Sequence, residues 1–460
     1  MKKNDILTLE IESVTNLGFG VARSSGLVVF VGGAVTGDVA EVKIIKLTPS
    51  YAVGRVEKII KESTKRDNTR CGISACSSCA YKSINYAEEL KIKAEEVESC
   101  FIKAGLSEVE LDEIIPSPAL HEYRNKAQYP ISIDKGGSYT VGFYAPKSHR
   151  VTEAAHCPLA PSVFGEIIEE LKAYFKKHSL SVYDEETSRG LLRHIYLRRG
   201  EISGEILLTL VINGDEIPHA EELVEKITEQ FPTVVGILLN VNKKNTNVIL
   251  GEKYITLFGR DYIYDTLCGV ELKISAPAFY QVNRCAAELL YRKARELAAP
   301  TKDDTLLDLY CGAGSIGLSM ADTGCELIGV EIIDSAVVCA RENAARAGIT
   351  NAKFYTGDAK NTENLLSAAE ADLGRKIEPT VVVLDPPRAG CDVALIRFVA
   401  SLSPKRIVYI SCNPATLARD CAIFKALGYE CGKVTAVDLF PATGHVESVV
   451  CLTRKSGGNQ

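Results

Sequence analysis

A cysteine stands where a run of strand-forming residues ends, in the segment YISCNPATLARD (409–420). Pro414 follows Cys412 by two residues, and proline is favoured in the first turn of a helix. A cysteine that only fills a core lies more often inside an apolar run, whereas this thiol is predicted at a turn from strand to helix. A thiolate there could act as a nucleophile, because the ionised form is strong and soft. The alternative is an inert, buried cysteine.

A base for the same reaction is available near the end of the chain. The segment FPATGHVESVV (440–450) offers His445 and Glu447, in a final hairpin that should fold back beside the strand ending at Cys412. We choose Glu447 as the base, and a positioned base contributes about 10²–10⁴-fold to a rate. The alternative is a glutamate on a solvated strand face.

Such a pair suits methylation of C5 of uracil, a carbon too weakly nucleophilic to take a methyl group unaided. Addition of the thiolate to C6 makes C5 enolate-like. C5 then accepts the methyl group, a base removes the C5 proton, and the thiolate is expelled. The sequence therefore indicates a nucleophile and a separate proton acceptor.

A glycine-rich turn predicts a nucleotide-type ligand. Gly312, Gly314 and Gly317 form a G-x-G-x-x-G pattern directly after the strand in DLYCGAGSIG (308–317). Glycines at that point let the backbone approach a ligand closely. Glu331, at the end of the next predicted strand, is placed to bind a ribose diol. A nicotinamide dinucleotide and S-adenosylmethionine both carry that diol.

The segment LDPPRAG (384–390) distinguishes the two ligands. It places Asp385 on a proline-stiffened turn at the carboxyl edge of the predicted sheet, where ligands bind in such folds. Hydride transfer has no evident use for this turn, whereas an enzyme that handles an amide-bearing base beside S-adenosylmethionine does. The pattern favours S-adenosylmethionine. The alternative is an aspartate that only caps a helix.

Three cysteines within nine residues, Cys71, Cys76 and Cys79 in CGISACSSC, predict a metal centre. A fourth ligand is available in AAHCPLAP, where Cys157 precedes a proline. The C-x₂-C ending suits zinc and an iron–sulfur cluster equally. Packed or redox-active cysteines are the alternative.

The elements that must position these residues fall into four predicted units. Short strands punctuated by glycine indicate a small β-barrel or sandwich, and alternating strands and helices from about residue 305 indicate a doubly wound α/β domain. The predicted boundaries are a β unit at 1–62, the cysteine cluster and a connecting helix at 63–110, an α+β domain at 111–265 and the α/β domain at 266–460.

The composition is that of an ordinary globular protein: 460 residues, 46% hydrophobic and 24% charged, with a net charge of −6. No apolar run approaches the roughly 20 residues that span a bilayer, and the first residues do not resemble a signal peptide. We therefore expect a cytoplasmic protein without a membrane partner. Fifteen cysteines in such a compartment are not expected to form a disulfide framework.

Five motifs in order, FYQVN, DLYCGAGSIG, LDPPRAG, SCNPATLARD and FPATGHVESVV, resemble the RNA uridine C5-methyltransferases, which make 5-methyluridine in ribosomal and transfer RNA. The resemblance spans essentially the whole chain. It implies a class I, Rossmann-like methyltransferase domain, with Cys412 as nucleophile and Glu447 as proton acceptor. It places the S-adenosylmethionine contacts on four residues: Gln281, Tyr310, Glu331 and Asp385.

The resemblance also implies a TRAM domain, an OB-like barrel that binds RNA, and a [4Fe–4S] cluster held by Cys71, Cys76, Cys79 and Cys157. This chain departs from the usual family pattern, because four rather than five residues separate the first two cysteines and the motif ends in C-S-S-C rather than C-G-G-C. The departure bears on the type of cluster rather than on the ligands. The cluster is expected to be structural, since the reaction needs no electron.

The expected substrate is 23S ribosomal RNA, in which a uridine in an unpaired region is flipped into the pocket. A transfer RNA methyltransferase of the same class is the nearest alternative, and a non-catalytic iron–sulfur RNA-binding protein is the alternative from another class. Four arginines around His194 are predicted either to contact phosphates or to lie on a solvated strand face: Arg189, Arg193, Arg198 and Arg199.

Overall fold

The structure, a computed structural model, describes residues 1–455 except residues 74, 147, 360, 362 and 363. The N-terminal unit is a six-stranded sheet in the order β1-β5-β6-β4-β3-β2 around its own apolar core. Its strands are β1 (Ile6–Glu10), β2 (Ser13–Val14), β3 (Phe19–Ser24), β4 (Leu27–Gly32), β5 (Val39–Leu47) and β6 (Tyr51–Lys61).

The cysteine motif is followed by a long helix, α1 (Tyr86–Lys103), which is the connecting helix expected from the sequence. Asn85 caps it, because its side chain accepts a hydrogen bond from the backbone NH of Glu88. The next strand, β7 (Leu111–Ile115), lies within the range expected for the central domain but pairs in parallel with the last-but-one strand of the chain. Strand β7 is therefore part of the C-terminal sheet described below, and helix α1 packs into the apolar core on one face of that sheet.

The central unit is a seven-stranded sheet in the order β10-β9-β8-β11-β12-β13-β14, with two helices packed on it. Strands β11 and β12 form an antiparallel hairpin within it. Its elements are β8 (Lys126–Ile133), β9 (Tyr139–Tyr144), β10 (Val151–Glu153), α2 (Ser162–Lys177), β11 (Leu192–Arg199), β12 (Ile206–Ile212), α3 (Ala220–Gln230), β13 (Val234–Val241) and β14 (Lys253–Gly259).

A two-stranded hairpin and a helix lead into the last unit: β15 (Tyr262–Leu267), β16 (Val270–Ser275) and α4 (Arg284–Ala298). The last unit itself contains β17 (Thr305–Leu309), α5 (Ser315–Leu318), β18 (Glu326–Glu331), α6 (Asp334–Arg346), β19 (Ala352–Thr356), α7 (Ser367–Leu373), β20 (Val381–Leu384), α8 (Val393–Ser401), β21 (Arg406–Ser411), α9 (Pro414–Ala426), β22 (Tyr429–Val437) and β23 (Glu447–Arg454).

The seven strands β17–β23, together with β7, form an eight-stranded sheet in the order β19-β18-β17-β20-β21-β23-β22-β7. The five strands from β17 to β21 are mutually parallel, and β23 runs antiparallel to β21, as the sequence predicts. Along β20, Val381 and Val383 pack into one apolar core, and Val382 and Leu384 pack into the core on the opposite face. Because both faces are covered, the strand is apolar throughout. The predicted doubly wound α/β fold is confirmed.

Candidate active site

Neighbouring strands of the catalytic sheet end together, and the predicted site residues follow them. The register pairs Leu309 of β17 with Val330 of β18 and with Leu384 of β20. The residues that continue these strands, Tyr310 and Asp385, therefore lie side by side with Glu331 at the carboxyl edge. Ligands bind at this edge of open α/β sheets.

The glycine turn begins with a strained residue. Tyr310 has a φ of +64°, which is uncommon for a residue other than glycine, and such conformations concentrate at functional sites. Gly314 also has a positive φ, and a Cβ there would lie 3.0 Å from the Phe354 ring. The Glu331 carboxylate accepts hydrogen bonds from the backbone NH of Gly312 (3.2 Å) and of Ile333 (3.0 Å). The turn and the acid are thus fixed relative to each other.

Gln281 reaches this edge from the loop between β16 and α4. It is buried, and its carbonyl oxygen accepts a hydrogen bond of 2.7 Å from the side chain of Asn125 in the central unit. Its side chain hydrogen-bonds with Tyr291, whose pKa is raised by burial and by the nearby charge of Asp385. The Tyr291 hydroxyl also contacts Ser315 Oγ at 3.1 Å. Gln281 therefore lies close to both Asp385 and the helix that follows the glycine turn.

Cys412 occupies the turn from β21 to α9, as predicted. Asn413 caps α9 by accepting a hydrogen bond from the Ala415 NH (3.1 Å), and its amide donates to the carbonyl of Arg388 (3.0 Å). The half-buried thiol has a raised pKa because of burial and the neighbouring Glu447 charge, while the Arg388 guanidinium acts in the opposite direction. Arg388 therefore favours the thiolate form.

Glu447 is the first residue of β23. Because Ser411 pairs with Ser448 across β21 and β23, one further step along the ladder brings Cys412 opposite Glu447. The Glu447 side chain is buried, and burial together with Asp385 raises its pKa from 4.5 to about 8. None of the side-chain hydrogen bonds of the described residues involves its carboxyl oxygens. The carboxyl group can take a proton from a substrate once it has lost its own, which the raised pKa places near pH 8.

His445, the other basic candidate of this hairpin, is exposed, with Nε2 lying 3.3 Å from Arg388 Nη2. Partial desolvation of the imidazole and the charges of Arg388, Lys93 and Arg124 lower its pKa. It does not act on the thiol pKa as Glu447 does. The geometry favours Glu447 over His445 as the partner of Cys412.

The four predicted cysteine ligands line one pocket: Cys71, Cys76, Cys79 and Cys157. Burial raises the pKa of the Cys79 thiol to about 12, with a smaller contribution in the same direction from the other three cysteines and an opposing one from Arg124. Within the described residues, however, no three His, Cys, Asp or Glu side chains are placed to hold one metal ion together.

For two of the four arginines around His194, both predicted alternatives, phosphate contact and a solvated strand face, are wrong. Arg193 and Arg198 are buried, and their guanidinium groups donate to backbone carbonyls, of Asn242 (2.7 Å) and Ala278 (2.7 Å) respectively. They therefore stabilise the central unit. Arg388 was not predicted as a functional residue, although it lies in the LDPPRAG motif. The turn brings its side chain close enough to Cys412 to lower the pKa of the thiol.

The fold, with its ligand edge at the ends of the parallel strands, is that of the class I S-adenosylmethionine-dependent methyltransferases. Comparison with known proteins gives the family. The sequence model of the tRNA (uracil-5-)-methyltransferase family matches residues 85–455, and that of the TRAM domain matches residues 2–56. The chain belongs to this family, as its motifs predicted, and is an RNA (uracil-5-)-methyltransferase.

Several relatives share nearly the whole chain. An uncharacterized RNA methyltransferase of Clostridium tetani is 37% identical over 454 residues, covering 98% of this chain and 97% of that protein. Another from Clostridium acetobutylicum is 38% identical over 458 residues, covering 99% and 98%. Among solved structures, a Pyrococcus abyssi tRNA (uracil-54, C5)-methyltransferase in complex with S-adenosyl-L-homocysteine is 26% identical, with a TM-score of 0.77 and coverage of 97% and 99%.

In the part of the chain that the structure describes, none of the helices combines the length and apolar character that crossing a bilayer requires.

Proposed function

We propose that this protein methylates C5 of a flipped uridine in 23S ribosomal RNA, with Cys412 as the covalent nucleophile and Glu447 as the proton acceptor. The observation that carries the proposal is the antiparallel register that sets the half-buried thiol opposite a buried carboxyl group with a raised pKa. The sulfur adds to C6 and leaves again at the end, so the group is regenerated. Between these steps the C5 proton passes to a Glu447 oxygen.

The residues at the carboxyl edge fit S-adenosylmethionine. Glu331 keeps acceptor capacity for a ribose diol beside the glycine turn, and Gln281, Tyr310 and Asp385 line the same edge. When bound, the cofactor supplies the methyl group that C5 accepts. Arg388 assists Cys412 by favouring the thiolate, and the turn in LDPPRAG holds its guanidinium there.

We propose a [4Fe–4S] cluster at the four cysteines, as the resemblance of their motifs implies. The four thiols of a cubane bind different irons, and the four cysteines line one pocket. Cys71, Cys76, Cys79 and Cys157 would hold the cluster, whose contribution is structural.

Replacing Cys79 with alanine is expected to give a colourless protein of lower stability, because three thiolates hold a cluster poorly and leave polar groups around an empty pocket. Visible absorption and iron content of anaerobically purified protein measure this. Cys100→Ala on α1 is the matched control, since that buried thiol lies outside the pocket. A Cys79→Ala protein that kept the visible band and a full iron content would contradict the assignment.

Transfer RNA is the second candidate substrate, and one observation favours it. The solved relative from Pyrococcus abyssi is by its name a tRNA enzyme, and it matches 97% of this chain. A β unit and a cysteine unit therefore do not by themselves exclude tRNA. Ribosomal RNA remains our proposal because the resemblance of the cysteine motifs is to the ribosomal-RNA members.

Incubation with methyl-labelled S-adenosylmethionine and total RNA from cells that lack the gene decides between them. We expect the labelled methyl group to be found as 5-methyluridine in 23S RNA. The same incubation with the Cys412→Ala enzyme measures the background. Label found only in the tRNA fraction would identify tRNA, rather than 23S RNA, as the substrate. RNA binding without any transfer would instead support a non-catalytic RNA-binding protein.

A further inference from the structure

The segment 438–446 between β22 and β23 delivers Glu447 to the active site, yet residues far outside the sheet hold it. The backbone NH of Ala442 donates to Glu89 Oε1 at 2.7 Å, and the carbonyl of Phe440 accepts from Lys93 Nζ at 3.1 Å. Glu89 and Lys93 both lie on α1, in the unit that follows the cysteine motif. Helix α1 is thus bonded directly to the backbone of the segment that ends at Glu447.

A buried ionic network surrounds these contacts. Lys93 is 1% exposed, and Glu89 and Asp438 are 0% exposed. Lys93 Nζ lies 2.7 Å from a Glu89 oxygen and 2.7 Å from an Asp438 oxygen, so with the Phe440 carbonyl all three of its donors are used. Glu89 also accepts from Arg70, next to Cys71, at 2.5 Å. Each bond is directional, so the network defines one position for the segment.

Other contacts hold the same segment from further directions. The Tyr123 hydroxyl donates to the Pro441 carbonyl at 2.9 Å, and the Tyr81 NH donates to the Ala442 carbonyl at 2.9 Å. At Gly444 a Cβ would lie 1.8 Å from the Asn16 carbonyl oxygen, so only glycine lets the β2–β3 hairpin of the N-terminal unit approach this closely. The segment is thereby clamped between the N-terminal unit, the cysteine unit and the central unit.

Glu447 depends on this clamp because no side-chain hydrogen bond within the described residues fixes its buried carboxyl group. The position of the carboxyl group therefore follows closely from the backbone that enters β23. A buried ion pair is an inefficient source of stability, since well-packed apolar residues often replace one without loss. What Lys93 and Glu89 add is a fixed backbone position at the start of β23.

We propose that Lys93 and Glu89 are positioning residues that hold Glu447 where it can remove the C5 proton, so that the cysteine unit controls the second half of the reaction. The inference rests on the proposed function, in which Glu447 is the proton acceptor. The inference distinguishes adduct formation by Cys412 from proton removal by Glu447. Cys412 is positioned by β21, Asn413 and Arg388 rather than by this network. Adduct formation should continue when the network is weakened, and adduct resolution should slow.

The test measures two quantities in single turnover with substrate RNA: release of tritium from C5 and the fraction of enzyme in a denaturation-resistant RNA adduct. For Lys93→Met we expect tritium release to fall between about tenfold and about 100-fold, as for a misplaced catalytic group, while the adduct accumulates. Tyr123→Phe removes one hydrogen bond to Pro441 and should show the same pattern more weakly, which keeps the test decisive if Lys93→Met does not fold.

Lys91→Met is the matched control on α1, because this exposed lysine forms its ion pair with Glu95, at 3.7 Å, and lies outside the buried network. Both quantities should stay at wild-type values. Glu447→Gln is the reference and should accumulate adduct strongly. If it does so while folded Lys93→Met and Tyr123→Phe accumulate none, the positioning role is overturned and the proposed function stands. If Glu447→Gln itself resolves its adduct at the wild-type rate, the proton acceptor is misassigned and both proposals fall.

Discussion

Cys412→Ala enzyme is expected to transfer no measurable methyl group to RNA, a loss of about 10⁴-fold or more, of the size seen when a covalent nucleophile is removed. Without the sulfur no bond forms at C6, so C5 never gains the electron density that it needs to accept a methyl group. The initial rate of label transfer from S-adenosylmethionine measures the effect.

Two controls distinguish this loss from unfolding. The thermal unfolding midpoint and the S-adenosylmethionine affinity of Cys412→Ala should match those of the wild type, because the thiol is only half-buried and its charged neighbours, Glu447 and Arg388, belong to the proposed reaction site rather than to the core. Cys339→Ala, which removes another half-buried thiol on α6, should keep full activity. Methyl transfer by Cys412→Ala at more than a hundredth of the wild-type rate would contradict covalent catalysis.

Glu447→Gln is expected to form the methylated adduct and then hold it, with turnover lowered by about 10²–10⁴-fold, the usual contribution of a positioned base. The amide keeps the shape of the side chain but cannot accept the C5 proton, so the sulfur is not expelled. Gel electrophoresis under denaturing conditions, with unmodified RNA, measures the accumulated complex. Prompt release of RNA from this variant would contradict the role of Glu447.

The same residue predicts a pH dependence. The Glu447 pKa of about 8 means that the free protein keeps this proton at neutral pH, so adduct resolution should accelerate as pH rises towards 8. Because the folded pKa lies above the unfolded value of 4.5, the folded state binds more protons in between, and the free energy of unfolding should fall as pH rises across that window. Glu447→Gln should flatten both the rate profile and this part of the stability profile.

Much of the catalytic edge was predictable because parallel strands have a simple geometry. Apolar runs ending in Tyr310, Asp385 and Cys412 predict strands whose carboxyl ends meet, and the structure brings these residues to one edge. The partnership of Cys412 with Glu447 was predictable from a final hairpin that folds back on the fifth strand. Local pattern is sufficient where consecutive elements are neighbours in the sheet.

The remaining features depend on contacts between residues far apart in the chain. Lys93 pairs with Asp438, 345 positions away, and neither residue lies in a motif that indicates burial of a charge. Asn125 fixes Gln281 from another unit, 156 positions away. The prediction for Arg193 and Arg198 was wrong because the sequence of an arginine-rich strand does not show whether its guanidinium groups contact phosphates or buried carbonyl groups. Periodicity carries no information on such partners.

The most direct test uses substrate RNA with 5-fluorouridine at the modified position. Fluorine leaves no proton at C5 for Glu447 to remove, so after methyl transfer the enzyme cannot expel its sulfur. We predict a stable protein–RNA complex whose peptide map places the modified nucleotide on Cys412. Efficient release of the fluorinated RNA, or a crosslink at another residue, would contradict covalent catalysis through this thiol.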